Sequence, residues 1–353
     1  MTTEKISHSK DIHPESALWA LYQPEKAPLR FTARTQEEAL AWQERVRPAF
    51  RQALGFTDLP EVNPEPVTLE TVDKGDYVRE KVLLRTSPWT VMPVYILKPK
   101  GQQGPLPVVV AFHGHGYGVK DMVGLWEDGS ERNTPDGYHK DFAVTLARRG
   151  FLVAAPEISC FGERVSDFSN LKLGQGAPTT CHHIATLAFH LGGSAAGLRV
   201  HDALKLVDYL QTRADADTER VGAMGISGGG MHTLFSTCVD TRIKAAVVSG
   251  YFCSWRYSIF GMHHCTCNYV PGLHRFGEIY YLVGLAAPRP LLVEAGTRDP
   301  IFPVKGVEEA VSRAKEVYGV FGAEDQVETD YFEGRHQISG ARAYDFLWEK
   351  LVK

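Results

Sequence analysis

The run Gly225-Ile226-Ser227-Gly228-Gly229, set directly behind the apolar segment Val221-Gly222-Ala223-Met224, constrains the fold more than any other part of the chain. A buried strand that stops at a serine among glycines and restarts as a helix describes a sharp strand–turn–helix corner. Such a turn forces the serine into an unfavourable backbone conformation. Its neighbours must therefore lack side chains that would strike the following helix. Met231, His232, Leu234, Phe235 and Cys238 then carry the apolar spacing of a helix that packs on a sheet.

A hydroxyl held up at such a corner is a poor nucleophile until a base takes its proton, and the base must itself be oriented. Two later loops supply the groups. Pro290-Leu291-Leu292-Val293-Glu294-Ala295 reads as a buried strand that empties into a loop carrying Asp299. Val327-Glu328-Thr329-Asp330-Tyr331-Phe332 alternates like a final strand and runs into a loop carrying His336. The order Ser227, Asp299, His336, each just past a strand, expects Ser227 to attack, His336 to carry the proton and Asp299 to hold the imidazole. Glu294 and Asp330 lie within strands, and Asp325 comes late in a polar loop, so Asp299 is the best placed acid.

A tetrahedral intermediate also needs two backbone N–H donors aimed at its oxyanion. One is expected from Gly228, the residue after the nucleophile. The other is expected from the loop His113-Gly114-His115-Gly116 that follows the strand Leu106–Phe112. His115 is the first choice and Gly116 the second; the His113 ring reads as a brace for the loop.

These motifs make the chain resemble the α/β-hydrolase superfamily. It is most similar to the dienelactone hydrolase and acetyl esterase group with a long N-terminal extension. Gly193-Ser194-Ala195-Ala196-Gly197 with Asp202 and Asp208 also resembles the helix before the corner in these proteins, and the likeness spans roughly Tyr77 to Lys353. The resemblance implies an α/β fold with a mostly parallel sheet of the eight-stranded type, helices on both faces and an N-terminal helical extension. It implies a serine carboxylic-ester hydrolase, acting on a small acyl group such as acetyl through an acyl-enzyme, with no cofactor. Dienelactone hydrolases proper use a cysteine where this chain has Ser227, which favours ordinary ester hydrolysis. A serine peptidase or amidase on the same fold, and a non-catalytic binding protein, are the competing readings. The intact Ser227, Asp299 and His336 disfavour the second of these.

Composition bounds the partners. The chain has 353 residues, 44% hydrophobic and 23% charged, with a net charge of −4. That balance gives no reason to expect nucleic acid or an anionic membrane as partner; the expected partner, a small-molecule ester, is what the motifs and the resemblance imply. The polar start Met1-Thr2-Thr3-Glu4-Lys5 leads into no apolar run and reads as cytoplasmic. The oligomeric state stays open, a homo-oligomer included. Six cysteines form no disulfide framework. His263-His264-Cys265-Thr266-Cys267 carries metal-ligand residue types but lacks a second pair of standard spacing, so no metal is expected.

Residues 1–66 read as the extension and 67–353 as the catalytic domain. Residues 1–34 look irregular or wrapped on the core. Thr35-Gln36-Glu37-Glu38 is a capping box opening a helix to about Leu54, with Ala39, Leu40, Trp42, Val46, Phe50 and Leu54 as its apolar stripe. Pro48 should kink this helix or end it early. Insertions at 119–138 and 251–281 are expected to shape the substrate site, with Trp126, Glu163, Trp255 and His263 as candidate contacts. Glu157 and Arg164 could face the same site.

Overall fold

The computed structural model describes residues 13–169 and 178–353. The first twelve residues, part of the segment expected to be irregular, lie outside the described residues.

Among the described residues nine strands form one mixed sheet, one more than the eight-stranded type. They are β1 (Val67–Asp73), β2 (Tyr77–Ser87), β3 (Thr90–Pro99), β4 (Leu106–Phe112), β5 (Leu152–Pro156), β6 (Ala216–Ile226), β7 (Ile243–Ser249), β8 (Leu291–Gly296) and β9 (Val327–Phe332). Their spatial order is β1-β2-β3-β5-β4-β6-β7-β8-β9. β1, β2 and β3 are antiparallel to their neighbours, and β5 onward pairs in parallel. The parallel part has the sequence it needs: every residue of β4, β5 and β8 is buried, as for strands covered on both faces.

The covering helices are α1 (Pro14–Leu21), α2 (Gln36–Leu54), α3 (Phe142–Arg148), α4 (Thr180–His190), α5 (Ala195–Leu210), α6 (Gly228–Val239), α7 (Ile279–Leu282), α8 (Val304–Val320) and α9 (Ala343–Leu351). Alternate residues of β4 divide between the faces. Val109 and Ala111 pack with α3 and α9, whereas Val108, Val110 and Phe112 pack on the side of α5. Among the described residues no helix is long and apolar enough to cross a membrane.

The helix α2 departs from expectation in two ways. It runs unbroken through Pro48 to Leu54. Pro48 sits on the exposed face, where the carbonyl of Glu44 that it leaves without an N–H partner is open to solvent and not sealed in the core, while buried Val46, Phe50 and Leu54 hold the turns on either side. Leu40 is exposed, and Gln43 is buried in its stead, donating to the carbonyls of Gly284 and Ala287 at 2.6 Å each. The segment before it also forms α1, which starts at a proline and links Trp19 Nε1 to Glu15 at 2.9 Å one turn away.

Candidate functional site

The register of the sheet brings the loops together. Phe112 of β4 pairs with Gly225, Ile226 of β6 with Ser249, Ser249 of β7 with Glu294, and Gly296 of β8 with Phe332. Four parallel strands and β9 thus end level, and the segments carrying His115, Ser227, Asp299 and His336 all leave the same edge. Ser227 stands at a positive φ of 59° with ψ −123°, a backbone conformation that a residue with a side chain rarely adopts. Two glycines make that turn possible. A Cβ on Gly225 would lie 2.4 Å from the carbonyl oxygen of Gly229, and one on Gly229 would lie 2.0 Å from that of Phe112. The Ser227 N–H donates to Ser249 O at 3.0 Å, which anchors the strained residue to β7.

His336 Nδ1 lies 2.6 Å from Asp299 Oδ2. The other oxygen of Asp299 accepts from the N–H groups of Ile301 at 2.9 Å and Phe302 at 3.1 Å, so the carboxylate is fixed in its own loop. The imidazole is held flat between Tyr138, 5.4 Å away at 30°, and Phe302, 5.6 Å away at 19°. Nδ1 is taken up by Asp299, and the other ring nitrogen, buried Nε2, has no partner among the described residues. The rival acids are occupied elsewhere. Glu294 accepts from the Ser249 hydroxyl at 2.7 Å and from the N–H groups of Ser339 and Gly340, and burial pushes its carboxyl up. Asp330 accepts from Ser339, and Asp325 is exposed.

Gly228 is the first residue of α6, so its N–H has no intrahelical partner. The N–H of His115 likewise has no partner among the described residues. The loop carrying it is pinned from both sides. Gly114 N–H donates to His139 Nε2 at 2.8 Å, and His139 Nδ1 lies 3.0 Å from Asp121. Buried Arg132 holds Asp121 and Asp141 together. Tyr138 donates its hydroxyl to His115 O at 2.5 Å. The hydroxyl also adjoins Ser227, and burial raises its pKa. The His113 ring is buried, with Nε2 3.0 Å from Ile158 N, and braces the loop as expected. Tyr138 was missed by the sequence: it closes the 119–138 insertion, and no spacing rule ties it to a serine 89 positions later by numbering.

The expected substrate contacts scatter. Trp126 is 41% exposed with its ring under Arg132. Glu163 pairs with Lys81 at 2.6 Å and Arg164 with Asp202 at 2.6 Å. Glu157 is wholly buried, accepting from Val119 N–H. Trp255 is a correction: it is fully buried beside Phe260, because most of the 251–281 segment folds into the core, and it offers no surface to a ligand. His263 is exposed. A separate cavity of about 700 Å³ lies between α1 and this segment, lined by Leu18, Trp19, Tyr22, Phe260, Met262 and Tyr269, with none of Ser227, Asp299 or His336 among its lining.

Against the expectation of no metal, the fold gathers donors of distant origin. The ligand atoms of His115, Cys181, Cys265 and Cys267 all lie within 4.8 Å of one another. Neither His263 nor His264 takes part; His264 Nε2 meets Ser258 Oγ at 3.0 Å.

Comparison with known proteins bears on this geometry. The model of the Abhydrolase family matches residues 18–343. YtaP of Bacillus subtilis (strain 168), a protein assigned as a hydrolase, is 29% identical over 285 residues, covering 76% of this chain and 86% of YtaP. Among solved structures, a protein of Bacteroides fragilis NCTC 9343 assigned as an acetyl xylan esterase aligns with a TM-score of 0.73 at 18% identity, covering 91% of this chain and 82% of its own. A glucuronoyl esterase from Solibacter usitatus aligns with a TM-score of 0.62 at 18% identity, covering 92% and 98%.

Proposed function

This chain belongs to the Abhydrolase family, and we propose that within it the protein is a serine carboxylic-ester hydrolase that works through an acyl-enzyme. One observation carries the reading. His336 is bonded to Asp299 through Nδ1 and presents an unpartnered, buried Nε2 at the edge where Ser227 sits strained. A buried ring nitrogen left without a partner has a cost that a purely structural histidine would avoid. The esterases among the structural neighbours support the leaving-group class.

In this mechanism Ser227 Oγ attacks the acyl carbon while His336 Nε2 takes its proton. Asp299 keeps the imidazole in the Nδ1–H tautomer and stabilises the imidazolium. The N–H groups of Gly228 and His115 receive the oxyanion. The imidazolium then protonates the departing alkoxide, and the same groups pass a water to the acyl-enzyme. A small acyl group is the expected substrate half.

The test is a nitrophenyl ester series from acetyl to decanoyl, with an aminoacyl anilide, run on the protein and on Ser227→Ala. Cleavage of the short esters, lost by roughly 10⁴-fold or more in Ser227→Ala with unchanged circular dichroism, is the expected result. Ser227-independent turnover would overturn the reading, and anilide cleavage would replace the ester with an amide.

A further inference from the structure

We infer that His115, Cys181, Cys265 and Cys267 form a tetrahedral zinc site that staples the loop after β4 to α4 and to the segment between β7 and α7. The four donor atoms lie within 4.8 Å of one another. Cys267 Sγ is 3.5 Å from His115 Nε2, the length of a sulfur–nitrogen edge around a shared ion, and 3.3 Å from Cys265 Sγ, a pair that an ion between them would spread by about half an ångström. Zinc–sulfur bonds of about 2.3 Å and zinc–nitrogen bonds of about 2.0 Å set tetrahedral edges of roughly 3.5–3.8 Å. Three thiolates and one imidazole are soft donors that suit zinc and not magnesium or calcium. Four protein ligands leave no open position, which marks a structural site and not a catalytic one.

A second observation points the same way. Arg199 is 1% exposed, yet among the described residues no carboxylate pairs with it; Asp202, on the same helix, is taken by Arg164. Its guanidinium reaches the Ser159 carbonyl at 3.1 Å and Cys181 Sγ at 3.8 Å, while Nε has no partner. A buried cation needs an anion. Three thiolates around a divalent ion carry one net negative charge, which Arg199 balances. Asn268 Nδ2, 4.0 Å from Cys267 Sγ and 3.1 Å from Cys265 O, supplies an outer contact of the kind that orients metal ligands.

The site is independent of ester cleavage in its test, although its His115 ligand belongs to the loop placed at the oxyanion. The whole protein would be purified under reducing conditions without chelator, desalted and analysed for metal. One zinc ion per chain is expected, falling to background in the Cys265→Ser/Cys267→Ser double variant. Should that variant fail to fold, the wild-type protein serves: chelator removal of zinc should lower Tm, added zinc should restore it, and cobalt(II) should develop the visible absorption of a tetrahedral thiolate complex. Folded, reduced protein that holds no zinc and takes up neither ion would overturn the site. So would a Cys265–Cys267 disulfide in protein prepared without oxidant. Activity plays no part in either readout, so loss of the hydrolase proposal would leave the zinc proposal standing, and the reverse.

Discussion

Asp299 accepts one hydrogen bond from His336 and two from its own loop, so it is held as an acceptor and cannot be swapped for a donor. Asp299→Asn would turn an NH₂ toward Nδ1, or expel Nδ1–H in favour of the wrong tautomer. The expected cost is about 10³–10⁴ in kcat with the fold unchanged, read by steady-state kinetics on a short nitrophenyl ester. A near-normal rate would transfer the orienting role away from Asp299. At this scale the sequence is informative where chemistry and turn geometry coincide. Ser227 among its glycines, and Asp299 and His336 just past their strands, were legible because each stands at a recognisable boundary. Tyr138 was not, because its contact with the His115 carbonyl is made by folding and leaves no local pattern. Trp255 failed for the opposite reason: an aromatic near a site and an aromatic in the core are written alike.

Among the elements, α2 shows how packing overrules propensity. Phe50 is fully buried and meets Phe235 of α6 and Phe276 edge-on, at 5.3 Å each. The helix that leads out of the Ser227 corner therefore rests on a helix from far upstream. Phe50→Ala should cost about 3–5 kcal/mol, seen as a lowered urea midpoint; a loss under 1 kcal/mol would mean that α2 contributes little to the core. The periodicity of Trp42, Val46, Phe50 and Leu54 announced this face. It could not announce that Gln43 would find two carbonyls, or that Pro48 would fall on the side facing water. Both depend on which way the helix is turned against its neighbours.

Across the molecule, charge clusters join elements far apart in sequence. Asp215 makes two bonds of 2.9 Å to Arg213 and a pair of 2.9 Å with Lys98 of β3, while Arg213 reaches Glu80 of β2. Burial opposes the charge on Asp215, but the Arg213 and Lys98 contacts outweigh it and lower its pKa from 3.8 to about 2. A carboxyl depressed on folding stabilises the protein above its unfolded value and loses that contribution as pH falls toward the folded one. The urea midpoint should therefore fall between pH 3.8 and about 2, and less steeply in Asp215→Asn than in wild type. Equal slopes would remove Asp215 from the acid response. What the sequence by itself determined is the succession of strands along the chain, the corner at Ser227 and the placing of Asp299 and His336 just past strand ends, since periodicity, glycine placement and strand ends are local properties that survive without knowledge of neighbours. Only the tertiary structure decided that Pro48 is tolerated, that Trp255 is core, that Tyr138 supports His115, and that His115 meets three cysteines. Those outcomes arise from strand order and helix orientation, which bring residues of unrelated sequence position within bonding distance and leave no trace in spacing.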